Sequence, residues 1–216
     1  MKKISLPNLA TFCKLGLCYT LLMPEPLVAV TLKDILDTSA RYQQDLGDFL
    51  AGYELDELDG FPLDHIAYKA ADTAHYLACR DVLTAECTWG VESQVDGRPI
   101  STFHYDHYQS RRVRFGVMGE FHLVELIHPR AGKEGQQVGF DHIERVWPDL
   151  DAAREYLKRR GVVFTEADNG HHQTLVMVIN QRGQGGQEIK ITNKSLLEVH
   201  VEEEQAGQLT YLKRVA

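Results

Sequence analysis

Two histidines on short apolar stretches and two carboxylates downstream of them are the residues of this chain best suited to chemistry. His65 stands in Leu63-Asp64-His65-Ile66-Ala67-Tyr68-Lys69, and His142 in Phe140-Asp141-His142-Ile143-Glu144-Arg145-Val146. Each is followed by a further apolar stretch with a lone carboxylate, Glu125 in Leu123–Ile127 and Glu188 in Glu188-Ile189-Lys190-Ile191. The order His, Glu, His, Glu, once per half of the chain, is that of a repeated metal site. Imidazole and carboxylate are the ligands that zinc, nickel, manganese and iron accept. Taken singly, a histidine or glutamate on a strand is more often exposed or hydrogen-bonded than ligating. The repetition carries the argument.

The elements that must position these residues also repeat. Leu63–Lys69 reads as a strand, followed by a helix capped by Asp72 and running to about Cys87. Strands follow at Trp89–Val95 and Pro99–Tyr105, joined at the favoured turn pair Asp96-Gly97, and then at Phe121–His128. After a linker at 130–139 the order recurs. Phe140–Val146 is a strand and Asp149–Arg160 a helix stopped by Gly161. Strands follow at Val162–Thr165, Thr174–Ile179 and, beyond the Gly183–Gly186 turn, Gln187–Thr192. The chain is thus an α+β protein of two βαβββ modules forming a cupped mixed sheet. Module one spans 61–130 and module two 138–200, within a single domain over 31–205. An extra helix precedes them over 31–60, opened by the capping box Thr31-Leu32-Lys33-Asp34. A short helix from Ser195 closes the domain, and 206–216 reads as a polar tail.

Side chains alternate along a strand. His142 and Glu144 therefore share a face opposite Ile143, and Glu188 and Lys190 share one opposite Ile189 and Ile191. Helices covering the isoleucines leave the polar set in the cup. Glu144 is a rival ligand by the same parity. In module one Leu123 and Ile127 share parity with Glu125, so that side of the pocket is expected to be partly apolar. Glu188 or Glu144 is the candidate base. Arg98, beside the hairpin turn, and Lys190 are candidates for binding a substrate carboxylate. His104, His107, His122, His128, His171 and His172 are expected on the surface or in loops, with His171-His172 a pair that could border the pocket.

Composition sets outer limits. The 216 residues are 44% hydrophobic and 25% charged, with a net charge of −8, an ordinary balance for a globular protein. The acidic balance disfavours nucleic-acid phosphates and anionic membranes as partners. The four cysteines form no Cys-x-x-Cys, so a disulfide framework or zinc ribbon is not expected and a cytoplasmic setting is. In residues 1–30, Lys2 and Lys3 precede the apolar run Leu15–Met23 as in a signal peptide. Lys14 abuts that run, however, and no small-x-small cleavage site follows. This stretch is read as a disordered extension or a start placed too far upstream. A chain beginning at Val30 is accordingly expected to melt within error of the full chain. A large drop in melting temperature would overturn that reading.

The paired modules and the His/Glu/His/Glu order resemble the vicinal oxygen chelate superfamily, which includes glyoxalase I, extradiol dioxygenases and bleomycin-resistance proteins. The closer resemblance is to the YecM family within it. It is carried by Asp64-His65-Ile66, Gly97-Arg98-Pro99-Ile100, Val124-Glu125-Leu126, His142-Ile143-Glu144, and Ile189-Lys190 with Ser195-Leu196-Leu197-Glu198, over about residues 31–205. The resemblance implies one divalent metal on His65, Glu125 and His142, with Glu188 as the fourth ligand where the match is loosest. It implies a small-molecule substrate with vicinal oxygens and an isomerase-like or lyase-like reaction, in a monomer or homodimer. A non-heme iron dioxygenase and a non-catalytic binding protein of the bleomycin-resistance type are the alternatives.

Overall fold

The computed structural model describes residues 29–55, 58, 61–105, 121–136, 138–168, 172–180 and 187–214. Residues 1–28, His107, His171 and the expected turn at Gly183–Gly186 lie outside them.

The first helical stripe folds as two helices, α1 (Leu32–Thr38) and α2 (Ala40–Gly52). The capping box forms as expected, with the Thr31 hydroxyl accepting from the Asp34 backbone and the Asp34 carboxylate accepting from the Thr31 backbone. The break falls at Ser39, whose hydroxyl donates to the Leu36 carbonyl at 2.6 Å and so competes with helical continuation. Ile35, Tyr42 and Leu46 are buried across the break. The apolar stripe therefore survives it.

Module one comprises β1 (Leu63–Lys69), α3 (Thr73–Glu86), β2 (Trp89–Val95), β3 (Arg98–His104) and β4 (Leu123–Ile127). Asp72 caps α3 by accepting from the His75 backbone at 2.8 Å. Asp96 and Gly97 both take positive φ, 53° and 72°, at the hairpin between β2 and β3. Module two comprises β5 (Gly139–Val146), α4 (Leu150–Arg159), β6 (Thr165–Asp168), β7 (Gln173–Asn180) and β8 (Gln187–Thr192). Strand β6 forms about three residues later than its apolar start suggested. Helix α5 (Leu196–Gln205) follows, closed at its start by a second capping box between Ser195 and Glu198. The stretch read as a polar tail adds a further strand, β9 (Thr210–Lys213), which pairs with β2.

All nine strands form one sheet in the order β6-β7-β8-β5-β1-β4-β3-β2-β9. Each module contains one parallel pair, β1 with β4 and β5 with β8. The modules join where β1 and β5 run antiparallel. Ile66, Ile143 and Ile189 align across this seam and are fully buried with the helices, beside Val124. Burying each isoleucine contributes roughly 1.5–3 kcal/mol. A one-residue slip would exchange them for histidines and carboxylates, so the isoleucine row locks the register that aims the polar residues into the cup.

Candidate metal centre

The sheet register brings residues from three strands into two adjacent rungs. Glu125 and His142 stand on either side of Ala67, on β4 and β5, and His65 stands opposite Glu144. Strands two apart in a sheet are roughly 9.5 Å apart. Glu125 and His142 meet over β1 because the residue between them is only a methyl. The His142 Nε2 lies 3.7 Å from Glu125 Oε2. One ligand atom each from His65, Glu125 and His142 can be chosen so that all three lie within 4.8 Å of one another. The imidazole rings of His65 and His142 sit edge to face, with centroids 5.6 Å apart.

The Asp-His repeat has a structural purpose that its sequence did not reveal. Asp64 accepts from Nδ1 of His65 at 2.8 Å, and Asp141 accepts from Nδ1 of His142 at 2.8 Å. An aspartate on Nδ1 fixes the ring and turns Nε2 toward the cup, as carboxylates behind metal-bound histidines do. The Asp64 carboxylate also accepts from the Leu196 backbone at 3.0 Å, tying the first turn of α5 to the same histidine.

Burial alone would push His65 down. Glu144, the Asp64 hydrogen bond and Glu125 outweigh it and raise the imidazole to about 9. His142 goes the other way, lowered to about 4 by burial and by Lys190, whose ammonium donates to Nε2 at 3.2 Å. Burial opposes the ionisation of Glu125, yet His65, His142 and Lys190 hold that carboxyl below its usual range. Burial raises Glu144, whose carboxylate lies 4.0 Å from His65 Nε2. His65 Nε2 is buried with no hydrogen-bond partner. The protons on His65 and Lys190 supply the positive charge this group of carboxylates demands. Two imidazole nitrogens, one of them the orphaned His65 Nε2, and a carboxylate are a donor set that fits a divalent cation.

Glu188 stands outside this convergence. It is opposite His142 in the β5–β8 register, and burial raises its carboxyl, but its side chain joins no group of candidate ligands among the described residues. Its backbone carbonyl accepts from the Tyr42 hydroxyl at 2.8 Å. The β8 side chain that reaches the histidines is Lys190. Arg98 lines the cup, donates to the His128 carbonyl at 2.8 Å, and keeps its Nε buried without a hydrogen-bond partner. His172 also borders the cup, whereas His122 is exposed.

The cup encloses a cavity of about 440 Å³, within the range of small-molecule sites. Ile127 and Ile100 give it the apolar side expected from the parity of β4. Its roof is α5, and the residue missed in the sequence is there: His200, 4% exposed, on the helix face turned to the cavity. The signal was available. Leu196, Val199, His200 and Glu203 follow the helical stripe that normally reads as apolar, with two polar members.

Two βαβββ modules sharing one cup are the vicinal oxygen chelate fold, here with a histidine on the first strand of each module. The sequence profile of the family described as YecM protein matches residues 31–201. The chain belongs to the YecM family. Among solved structures, one titled "Structural Genomics, Protein EC4020" is 22% identical, covering 82% of this chain and 99% of its own, with a TM-score of 0.50. A hypothetical protein from Bacillus halodurans is 15% identical, covering 62% and 94%, with a TM-score of 0.43. A methylmalonyl-CoA epimerase is 17% identical, covering 61% and 94%, also with a TM-score of 0.43. No curated protein matches the chain. Among the described residues, no helix is long and apolar enough to cross a membrane.

Proposed function

We propose that the protein is a metal-dependent enzyme that moves a proton on a small molecule carrying two neighbouring oxygens, in the manner of an isomerase or lyase. The observation that carries this is the convergence of His65, Glu125 and His142 in the cup, with both imidazoles pre-oriented by aspartates. A divalent ion held there would act as a Lewis acid, stabilising negative charge that develops on the substrate oxygens. Glu144 is the base. It is buried beside His65, and burial raises its carboxyl, which makes it a stronger base than a glutamate in water. Glu188, on the same sheet face, is the second carboxylate that could serve. Lys190 and Arg98 hold the anionic part of the substrate, and Lys190 gives up its contact with His142 to do so.

A second reading has its own support. The three converging ligands are two histidines and one carboxylate, the set that suits iron(II) and oxygen chemistry. Lys190, where β8 reaches the histidines, adds a cation there and no fourth ligand. Elemental analysis of protein purified without a histidine tag separates the readings. Zinc, nickel or manganese near one per chain supports the isomerase-like reading, and iron supports the second. Metal-free protein that still binds small molecules supports a binding role without turnover.

The raised His65 predicts the proton balance of metal binding. Below about pH 9 this imidazole carries a proton that a metal must displace, whereas His142 is already neutral above about pH 4. Zinc binding at pH 7 is therefore expected to release about one proton per ion, and affinity to rise about tenfold per pH unit up to about pH 9. Calorimetry in two buffers of different ionisation enthalpy measures this. A heat that does not change with the buffer would contradict it.

A further inference from the structure

Lys190 and Arg98, the two cations assigned to the substrate, are too far apart to hold the same group. Lys190 is on β8 and Arg98 begins β3, with β5, β1 and β4 between them. Neighbouring strands are about 4.8 Å apart, so the two backbones are roughly 19 Å from each other across the sheet. Both residues line the cavity. Lys190 is at the metal end, its ammonium 3.2 Å from His142 Nε2.

The register fixes what lies between. Glu125 stands opposite Thr102, and the next pair on that face of β4 and β3 is Ile127 opposite Ile100. Both isoleucines line the cavity and are otherwise buried. Two residues beyond Ile100, at the start of β3, is Arg98. Each two-residue step is roughly 7 Å. The floor that β3 and β4 supply between the metal centre and Arg98 is therefore apolar.

The far end is positive. Arg98 donates to the His128 carbonyl at 2.8 Å and, among the described residues, forms no ion pair. Arg130 joins it at the cavity wall, paired with Asp96 at 3.0 Å. Burial and then Arg130 lower Arg98, and the carboxylates of Glu125, Asp96 and Asp141 offset this only in part. An anion arriving from the cavity would complete the balance, and a guanidinium fork matches a carboxylate.

We propose that the substrate is a dicarboxylic acid with an apolar middle. One carboxylate and its neighbouring oxygen lie at the metal centre beside Lys190, a hydrocarbon segment crosses Ile100 and Ile127, and the second carboxylate meets Arg98. The assignment rests on the reading that a metal is held by His65, Glu125 and His142. It divides the anionic part of the substrate into two groups, one for each cation.

2-Oxosuberate and 2-oxooctanoate test this directly. They share head and chain length and differ in whether the far carbon is a carboxylate or a methyl. Both are titrated calorimetrically into the full chain after incubation with zinc. 2-Oxosuberate is expected to bind at least about tenfold more tightly, the worth of one hydrogen bond to a charged partner. Arg98→Ala should lose that preference by weakening 2-oxosuberate alone, and Arg98→Lys, which keeps the charge, should keep part of it. Lys190→Ala should weaken both ligands alike. 2-Oxoglutarate, with the same ends on a shorter chain, should fall short of Arg98 and bind at least about tenfold more weakly than 2-oxosuberate. Circular dichroism and melting confirm that each variant is folded. The proposal is overturned if 2-oxooctanoate or 2-oxoglutarate binds as tightly as 2-oxosuberate, if neither long-chain acid binds at millimolar concentration, or if Arg98→Ala weakens both long-chain acids equally. A chain that takes up no zinc, yet prefers 2-oxosuberate and loses that preference in Arg98→Ala, would sink the metal reading and leave the two-ended cavity standing.

Discussion

His142→Ala should lower zinc affinity by more than about 100-fold while leaving the fold intact. Removing an aspartate that only orients a histidine typically costs about 10–100-fold, and removing the ligand itself costs more. Asp141→Asn is the internal comparison: it keeps His142 but weakens the acceptor on Nδ1, so its loss should be smaller. His142 is on a central strand, yet its neighbours in the register are Ala67 and Glu188, and the isoleucine row behind it is untouched. Melting of the metal-free variant should therefore track the metal-free parent. Elemental analysis showing unchanged metal per chain in His142→Ala would remove the proposed centre.

Glu144→Gln is expected to retain metal and lose proton transfer. The amide preserves size but cannot accept a proton, and a positioned general base contributes about 10²–10⁴-fold. The readout is exchange of the α-proton with deuterated solvent, followed by NMR over a panel of hydroxy- and keto-acids. Glu188→Gln on the same panel should change exchange only a few-fold, because Glu188 stands apart from the converging side chains. If Glu188→Gln is the variant that loses exchange while Glu144→Gln keeps it, the two roles are reversed.

The strand-helix order was legible because it depends on local pattern, whereas the meeting of His65 and His142 with Glu125 depends on pairing between strands far apart in the sequence. Alternation placed His142 and Glu144 together opposite Ile143, and the structure keeps that face. What alternation cannot supply is distance along the sheet. Glu188 and Lys190 share a face, and only the register shows that Lys190 is the one opposite Glu144 and near His142 Nε2. The orienting aspartates were visible as a repeated tripeptide, but neighbours on a strand normally point apart, so their bond to the adjacent imidazole was not foreseen. His200 was hidden by helix periodicity itself. A stripe is taken as apolar by its spacing, and its polar members draw notice only when the cavity beneath it is known.

The way the sheet ends has a consequence for behaviour at high concentration. Exposed strand edges are templates on which a second chain can add hydrogen bonds and seed aggregation. Here both outer strands are only four residues long. On β6 every residue is exposed, and Glu166 is tied to Arg154 of α4 by two hydrogen bonds, so a strand added there must pack against a fixed ion pair. On β9 the Lys213 ammonium is drawn back to the carbonyls of Thr84 and Ala85 at the end of α3, both at 3.2 Å. Growth of the sheet from molecule to molecule is thereby disfavoured at both ends.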